Sequence, residues 1–154
     1  MSSREQLLNE EFIDLKNTSL SGSLSLDSEI TSWLTANYDL KASIFESSFG
    51  DSEFQKVSTN NHLLNLYFYL TDNQYLNAEA EYYGNSISES DDNYFMNLSY
   101  QYTFQKPKID LNISWNNIFN TEEFINIATS EYTYIETAYR LRPSQIIASV
   151  KFSF

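Results

Sequence analysis

The stretch that decides the fold is Ser144–Phe154, SQIIASVKFSF. Ile146, Ala148, Val150, Phe152 and Phe154 fall on one parity, against Gln145, Ile147, Ser149, Lys151 and Ser153 on the other. Successive strand side chains point to opposite faces, so this is a strand with one apolar and one mostly polar face.

The same period recurs upstream. In Ile109–Asn116 the apolar parity is Ile109, Leu111, Ile113 and Trp115, and in Tyr94–Phe104 it runs from Tyr94 through Met96 and Leu98 to Phe104. Tyr75–Tyr83 carries Leu76, Ala78, Ala80 and Tyr82; Leu63–Leu70 carries Leu64, Leu66, Phe68 and Leu70. Leu34–Phe45 alternates Leu34, Ala36, Tyr38, Leu40, Ala42 and Ile44 with polar residues, and Thr18–Leu26 sets Leu20, Gly22, Leu24 and Leu26 against four serines. Short connections are expected at Asp27–Thr31, Thr71–Gln74 and Gln105–Lys108, and longer polar ones at Ser47–Asn61, Gly84–Asn93 and around Asn120–Tyr134. Short turns at one end and long loops at the other predict an all-β, antiparallel up-and-down meander of about seven or eight strands, part of a transmembrane β-barrel. Residues 1–154 read as one domain. Met1–Leu15 reads as the outer extension of the first strand, with a short helix over Glu5–Lys16 as the other reading.

Alternation alone does not say which face meets lipid. A soluble lipocalin-like barrel turns its apolar face inward; a membrane barrel turns it outward. The polar parity here is mainly Ser, Asn, Thr and Gln with few Lys, which suits a wet, packed lumen. Aromatic residues stand near strand ends on the apolar parity (Tyr82, Phe104, Trp115, Phe152, Phe154), where interfacial girdles form. Acidic residues gather in the proposed loops, at Asp51, Glu53, Glu89, Asp91 and Asp92. These features favour lipid.

The chain carries a net charge of −12, which argues against a nucleic-acid partner, and it has no cysteine, which removes disulfides and thiolate chemistry. No apolar run is long enough for a membrane helix, so any crossing is by strands. Met1–Asn9 (MSSREQLLN) lacks the apolar core of an export signal, so a longer precursor is expected to supply one.

Three segments carry a family resemblance. Ala148–Phe154 (ASVKFSF), with Val150, Phe152 and Phe154 alternating to a terminal Phe, resembles the C-terminal signal by which outer-membrane barrels are recognised for assembly. Ile109–Glu122 (IDLNISWNNIFNTE) resembles the late-barrel N-x-F-N strand of TonB-dependent receptors. Tyr139–Val150 (YRLRPSQIIASV) resembles the R-P-R entry to their last strand, although Ser144 stands where the second Arg would be. Ile109–Phe154 looks like the Bacteroidota version in particular. The resemblance implies a barrel of about 22 strands filled by an N-terminal plug and energised through TonB. Seven strands ending at the periplasmic face place the first strand running inward as well. The chain is therefore expected to be a C-terminal barrel portion that does not transport alone. Its expected partners are outer-membrane lipid, the barrel-assembly machinery, and the remaining strands and plug of a full-length receptor. A complete eight-stranded barrel with a structural or adhesion role, and a soluble lipocalin-like binder, are the alternatives.

Candidate chemistry is sparse, and neither an enzyme nor a cofactor is expected. His62 is the lone histidine, and a Ser–His–acid site would need partners that converge on it in space; the plain reading is a residue at a loop edge. Glu89, Asp91 and Asp92 lack the spacing of a Ca²⁺ loop and read as a solvated acidic loop. Asp39, Lys41, Tyr67, Tyr69, Glu79 and Glu81 share the polar parity and are expected to face the lumen. Tyr67, Tyr69 and Tyr83, on the same face, are candidates either for stacking on a sugar or peptide ligand or for packing against a plug. Arg140 and Arg142 read as loop or rim charges flanking the start of the last strand.

Overall fold

A computed structural model describes residues 2–8, 11–49, 55–86, 92–129 and 134–152. Ten strands follow one another: β1 (Ser2–Leu8), β2 (Glu11–Thr31), β3 (Leu34–Phe49), β4 (Gln55–Thr71), β5 (Gln74–Asn85), β6 (Asn93–Phe104), β7 (Ile109–Asn116), β8 (Glu123–Thr129), β9 (Tyr134–Arg140) and β10 (Gln145–Phe152). Eight form one antiparallel sheet in the order β1-β2-β3-β4-β5-β6-β7-β10, and β8 and β9 make a separate hairpin. The expected meander is present: six of the alternating segments lie within strands β2–β7, and Gln145–Phe152 of the seventh forms β10.

The register keeps the apolar parity on one face across the whole sheet. Leu24 lies opposite Leu40, Tyr38 opposite Leu64, and Leu64 opposite Ala80. The row continues through Ala80–Met96, Tyr100–Ile113 and Ile113–Ala148. A slip of one residue anywhere would send an entire strand's apolar set to the other face, so the pattern itself pins the register.

That apolar face is left uncovered. Leu20 is 67% exposed and Ile146 68%, whereas among the described residues the only buried hydrophobic side chain is Val57. A lipocalin-like barrel would bury these side chains inside; here they stand outward as a band. The runs Leu34–Ile44 in β3 and Tyr94–Phe104 in β6 are the tallest uninterrupted parts of it. Eleven strand residues rise roughly 33 Å, or roughly 23 Å when tilted by about 45°, close to the apolar height of a membrane barrel.

Several boundaries differ from expectation. β2 continues through Asp27–Thr31, leaving a turn of two residues, Ser32 and Trp33; likewise only Asp72 and Asn73 turn between β4 and β5. The four-residue turn at Gln105–Lys108 lies where expected and contains a cis Lys106–Pro107 peptide. At the other end β3 reaches Phe49 and β4 starts at Gln55, so much of Ser47–Asn61 is strand. Glu11 onward does extend the first membrane strand, but Ser2–Leu8 is a strand of its own. It pairs only with Glu11–Asn17, above the apolar band. The eight strands form an open sheet, since β1 and β10 do not pair among the described residues. The stretch expected to be a loop around Asn120–Tyr134 holds β8 and the hairpin.

Candidate functional site

Two structures at the long-loop end bring functional side chains together. The first is a clasp built on Asn117 and Asn120, where β7 gives way to the hairpin. Both residues take left-handed backbone angles, with φ of 52° and 54°, a conformation Asn tolerates better than most residues. Asn117 Nδ2 donates to the Thr121 carbonyl at 2.8 Å and to the Arg142 carbonyl at 2.9 Å, while its Oδ1 accepts from Thr121 N–H at 2.9 Å. Its own N–H donates to Asn97 Oδ1 at 2.9 Å. Ile118 N–H reaches the Met96 carbonyl at 2.8 Å, and the Thr121 hydroxyl reaches the Tyr94 carbonyl at 2.7 Å. Asn120 Oδ1 accepts from Ser144 N–H at 2.9 Å, and the Trp115 indole donates to the Ser144 hydroxyl at 2.9 Å. An irregular turn leaves backbone groups unpaired, and here two amide side chains satisfy them. The clasp joins β6, β7, the base of the hairpin and the entry to β10. Ser144, the departure from the R-P-R pattern, is the residue that meets both Trp115 and Asn120.

The second structure is a half-open cavity of about 530 Å³ on the polar face. Its floor comes from β2–β5, with Ser21, Ser23, Lys41, Thr59 and Asn61 among the lining residues; Phe124 and Ile125 of β8 roof it. The hairpin is held there by rings. Phe124 packs against Tyr83 with centroids 5.1 Å apart and against Phe95 at 5.8 Å, while Tyr83 and Phe95 lie 5.9 Å apart. Phe124 also stacks on Tyr139 of β9 at 6.3 Å. Such pairs contribute about 0.5–1.5 kcal/mol each beyond area burial. Leu141 N–H donates to the Glu122 carbonyl at 2.9 Å and closes the hairpin's base. The floor is low because the polar parity of β2 is all serine over residues 19–25.

The six residues expected to face the lumen share one face: Asp39 lies opposite Leu63, Thr35 opposite Tyr67, and Leu63 and Asn65 opposite Glu81 and Glu79. They do not converge. Lys41 lines the cavity. Asp39 accepts from the Ser25 hydroxyl, and Glu79 accepts from Asn97 Nδ2 at 2.8 Å. Tyr67 and Tyr69 stand towards the short-turn end, away from the cavity. Similar cross-strand pairs, Ser43–Thr59 at 2.7 Å and Thr103–Asp110 at 2.8 Å, tie this face together.

His62 is not a loop-edge residue. It sits inside β4 on the apolar face, with its Nδ1 2.7 Å from the Tyr38 hydroxyl. Its ring lies 5.4 Å from Tyr82, which lies 5.0 Å from Tyr94. Tyr38, His62, Tyr82 and Tyr94 form a row of amphipathic rings across the apolar face, with Tyr82 and Tyr94 at the upper edge of the band. Gly84 belongs to this row: a Cβ there would meet the Tyr82 hydroxyl at 2.5 Å and Asn60 Oδ1 at 2.6 Å. At the lower edge Trp33 stacks on Phe68 at 6.2 Å and Tyr102 packs on Phe104 at 4.4 Å. Rings at both edges of an apolar band mark the two membrane–water interfaces.

Val150 and Phe152 lie on the apolar face of β10 opposite Leu111 and Ile109; Phe154 lies outside the described residues, as do Glu89 and Asp91. Arg140 is not in a loop but ends β9, opposite Glu123. Arg142 does lie just before the last strand and offers its carbonyl to Asn117. Among the described residues no group of three or more His, Cys, Asp or Glu is placed to hold a metal ion. The cavity roof and the clasp are what sequence reasoning missed. The signal for the clasp was in the motif Asn117–Asn120; β8 carries apolar residues on both parities and gave no clean period.

No curated protein and no solved structure matches the chain. A family model described as "Outer membrane protein beta-barrel family" matches residues 15–154. With an outward apolar band, rings at both edges and a polar inner face, the chain belongs to the outer membrane protein β-barrel family and resides in the bacterial outer membrane.

Proposed function

We propose that this chain is the C-terminal arc of the barrel of a TonB-dependent transport receptor, and that it does not transport alone. The observation that carries the reading is the open sheet. In the membrane, the edge of β2 facing away from β3, from Thr18 to Thr31, and the edge of β10 facing away from β7 have no strand partner among the described residues. Each unpaired backbone group in lipid costs several kcal/mol, so further strands must cover both edges. The likeness of Ile109–Phe154 to the late barrel of such receptors supports the same reading. The partners are outer-membrane lipid, the assembly machinery acting on the Val150, Phe152 and Phe154 pattern, and the other strands and plug of the receptor. The role is in transport and not in catalysis: His62 is engaged with Tyr38 on the lipid side.

The test is gel mobility of the 154-residue chain refolded in detergent micelles, with and without boiling. A smeared or aggregated sample without a mobility shift is the expected result. A compact, protease-resistant band that shifts on boiling would mean a self-sufficient small barrel and would sink the proposal.

A further inference from the structure

We infer that the cavity beneath the β8–β9 hairpin is a binding site for a neutral oligosaccharide. The inference rests on the receptor reading for its role, and names the substrate class.

The volume, about 530 Å³, is that of a small-ligand site. The lining is unusual for this chain. The protein carries 21 Asp and Glu, yet among the described residues no carboxylate lines the cavity, and Lys41 is the one charged residue that does. A cationic ligand would meet Lys41, while the Glu81 carboxylate beside Tyr83 is not among the lining residues. A multiply anionic ligand would find a single cation in a chain of net charge −12. What remains is a neutral, polar ligand.

A peptide is the weaker fit. Extended peptides bind by adding a strand to a free sheet edge. Of the floor strands, β3, β4 and β5 pair on both sides, and the one edge without a partner among the described residues, that of β2 from Thr18 to Thr31, is covered by a further barrel strand on the receptor reading. The groups that present themselves are hydroxyls and primary amides, from Ser21, Ser23, Thr59, Asn61 and Asn93. Each both donates and accepts, as a sugar hydroxyl does. Tyr83 and Phe124 add aromatic surface for the C–H faces of sugar rings. Their positions are fixed by the ring cluster with Phe95, so the surface is ordered before a ligand arrives.

The experiment uses outer membranes isolated from cells that make the full-length protein. Fluorescently labelled neutral hexasaccharides (glucan, mannan and galactan) are compared with a hexagalacturonate and a neutral capped hexapeptide. At least one neutral hexasaccharide should be retained in preference to both others. Ser23→Trp fills the floor without touching the ring cluster, and should weaken retention at least tenfold. Phe124→Ala removes the roof and should do the same; boiled and unboiled gel mobility confirms which variant is folded. Retention of the acidic sugar or the peptide alone, no retention of any neutral sugar, or unchanged binding in a folded Ser23→Trp protein overturns the site. Binding to isolated membranes needs no energy from TonB. Sugar retention with TonB-independent uptake would overturn the receptor reading alone, and TonB-dependent uptake without sugar retention would overturn the site alone.

Discussion

The two halves of the sheet solve the upper membrane boundary differently. β2, β3 and β4 have 21, 16 and 17 residues and rise well above the apolar band. β7 and β10 have eight residues each and stop at it, one position beyond the facing pair Trp115 and Ile146. In the tall half the chain stays in the sheet above the lipid, and Glu46 and Lys56 meet at 3.5 Å on the outer face there. In the short half the corresponding length leaves the sheet and turns inward as the hairpin. Strand length therefore does not mark the membrane; the end of the apolar parity does. What converts a wall into an inward hairpin is the pair of left-handed Asn residues.

The strongest way to break this comparison is to open the clasp. Asn117→Ala removes the side chain from three hydrogen bonds and places Ala at φ 52°. It should destabilise the folded protein by about 2–4 kcal/mol in urea titrations and raise protease cleavage within residues 123–140. Asn117→Gly should recover only the backbone share. A stability change under half a kcal/mol would mean the hairpin is held by its rings alone.

Next comes a charge walked up β2 on one face. Leu24→Arg should cost about 2–4 kcal/mol in folding into liposomes, while Thr18→Arg should cost about 0–1, because the penalty falls off towards the interface. Equal penalties would place Thr18 within the lipid and undo the tall-wall picture.

The glycines sharpen it further. Gly84→Ala brings a methyl against the Tyr82 hydroxyl and Asn60, both ends of side chains that can shift, and should cost about 0.5–1.5 kcal/mol. Pairing it with Tyr82→Phe should relieve part of that in a double-mutant cycle. Gly22→Ala meets nothing within 4 Å and should be neutral or slightly stabilising. The smallest effect belongs to the tall wall: Lys56→Ala should change stability by at most about 0.5 kcal/mol, and less in high salt, since both partners are exposed.

The membrane part of the fold was legible because lipid on one side and packed polar groups on the other write a strict period of two. Where that contrast ends, so does the signal. Above the band both parities are polar, as in Ser47, Ser48, Lys56 and Ser58, and strand looks like loop. β8 has the opposite fault: Phe124 and Ile125 are neighbours on opposite parities, because one packs on rings of the sheet while both line a roof. His62 keeps the spacing of Leu64, Leu66 and Phe68, so its face follows only once β4 is seen to begin well before Leu63; its ring partners come from β3 and β5 and no local pattern contains them. Lys41 and Tyr83 were picked out by parity, but a cavity is a property of the register among four strands and of a hairpin folded onto them.

The serines of β2 leave one further consequence. Ser21 and Ser23 contribute volume by being small, and they carry neither the lipid-facing pattern nor the clasp. Enlarging or polarising them would resize the chamber while leaving the determinants of folding and insertion in place. In evolutionary terms this inner stripe is a dial, on which descendants of one scaffold can change the shape of the chamber without losing the barrel.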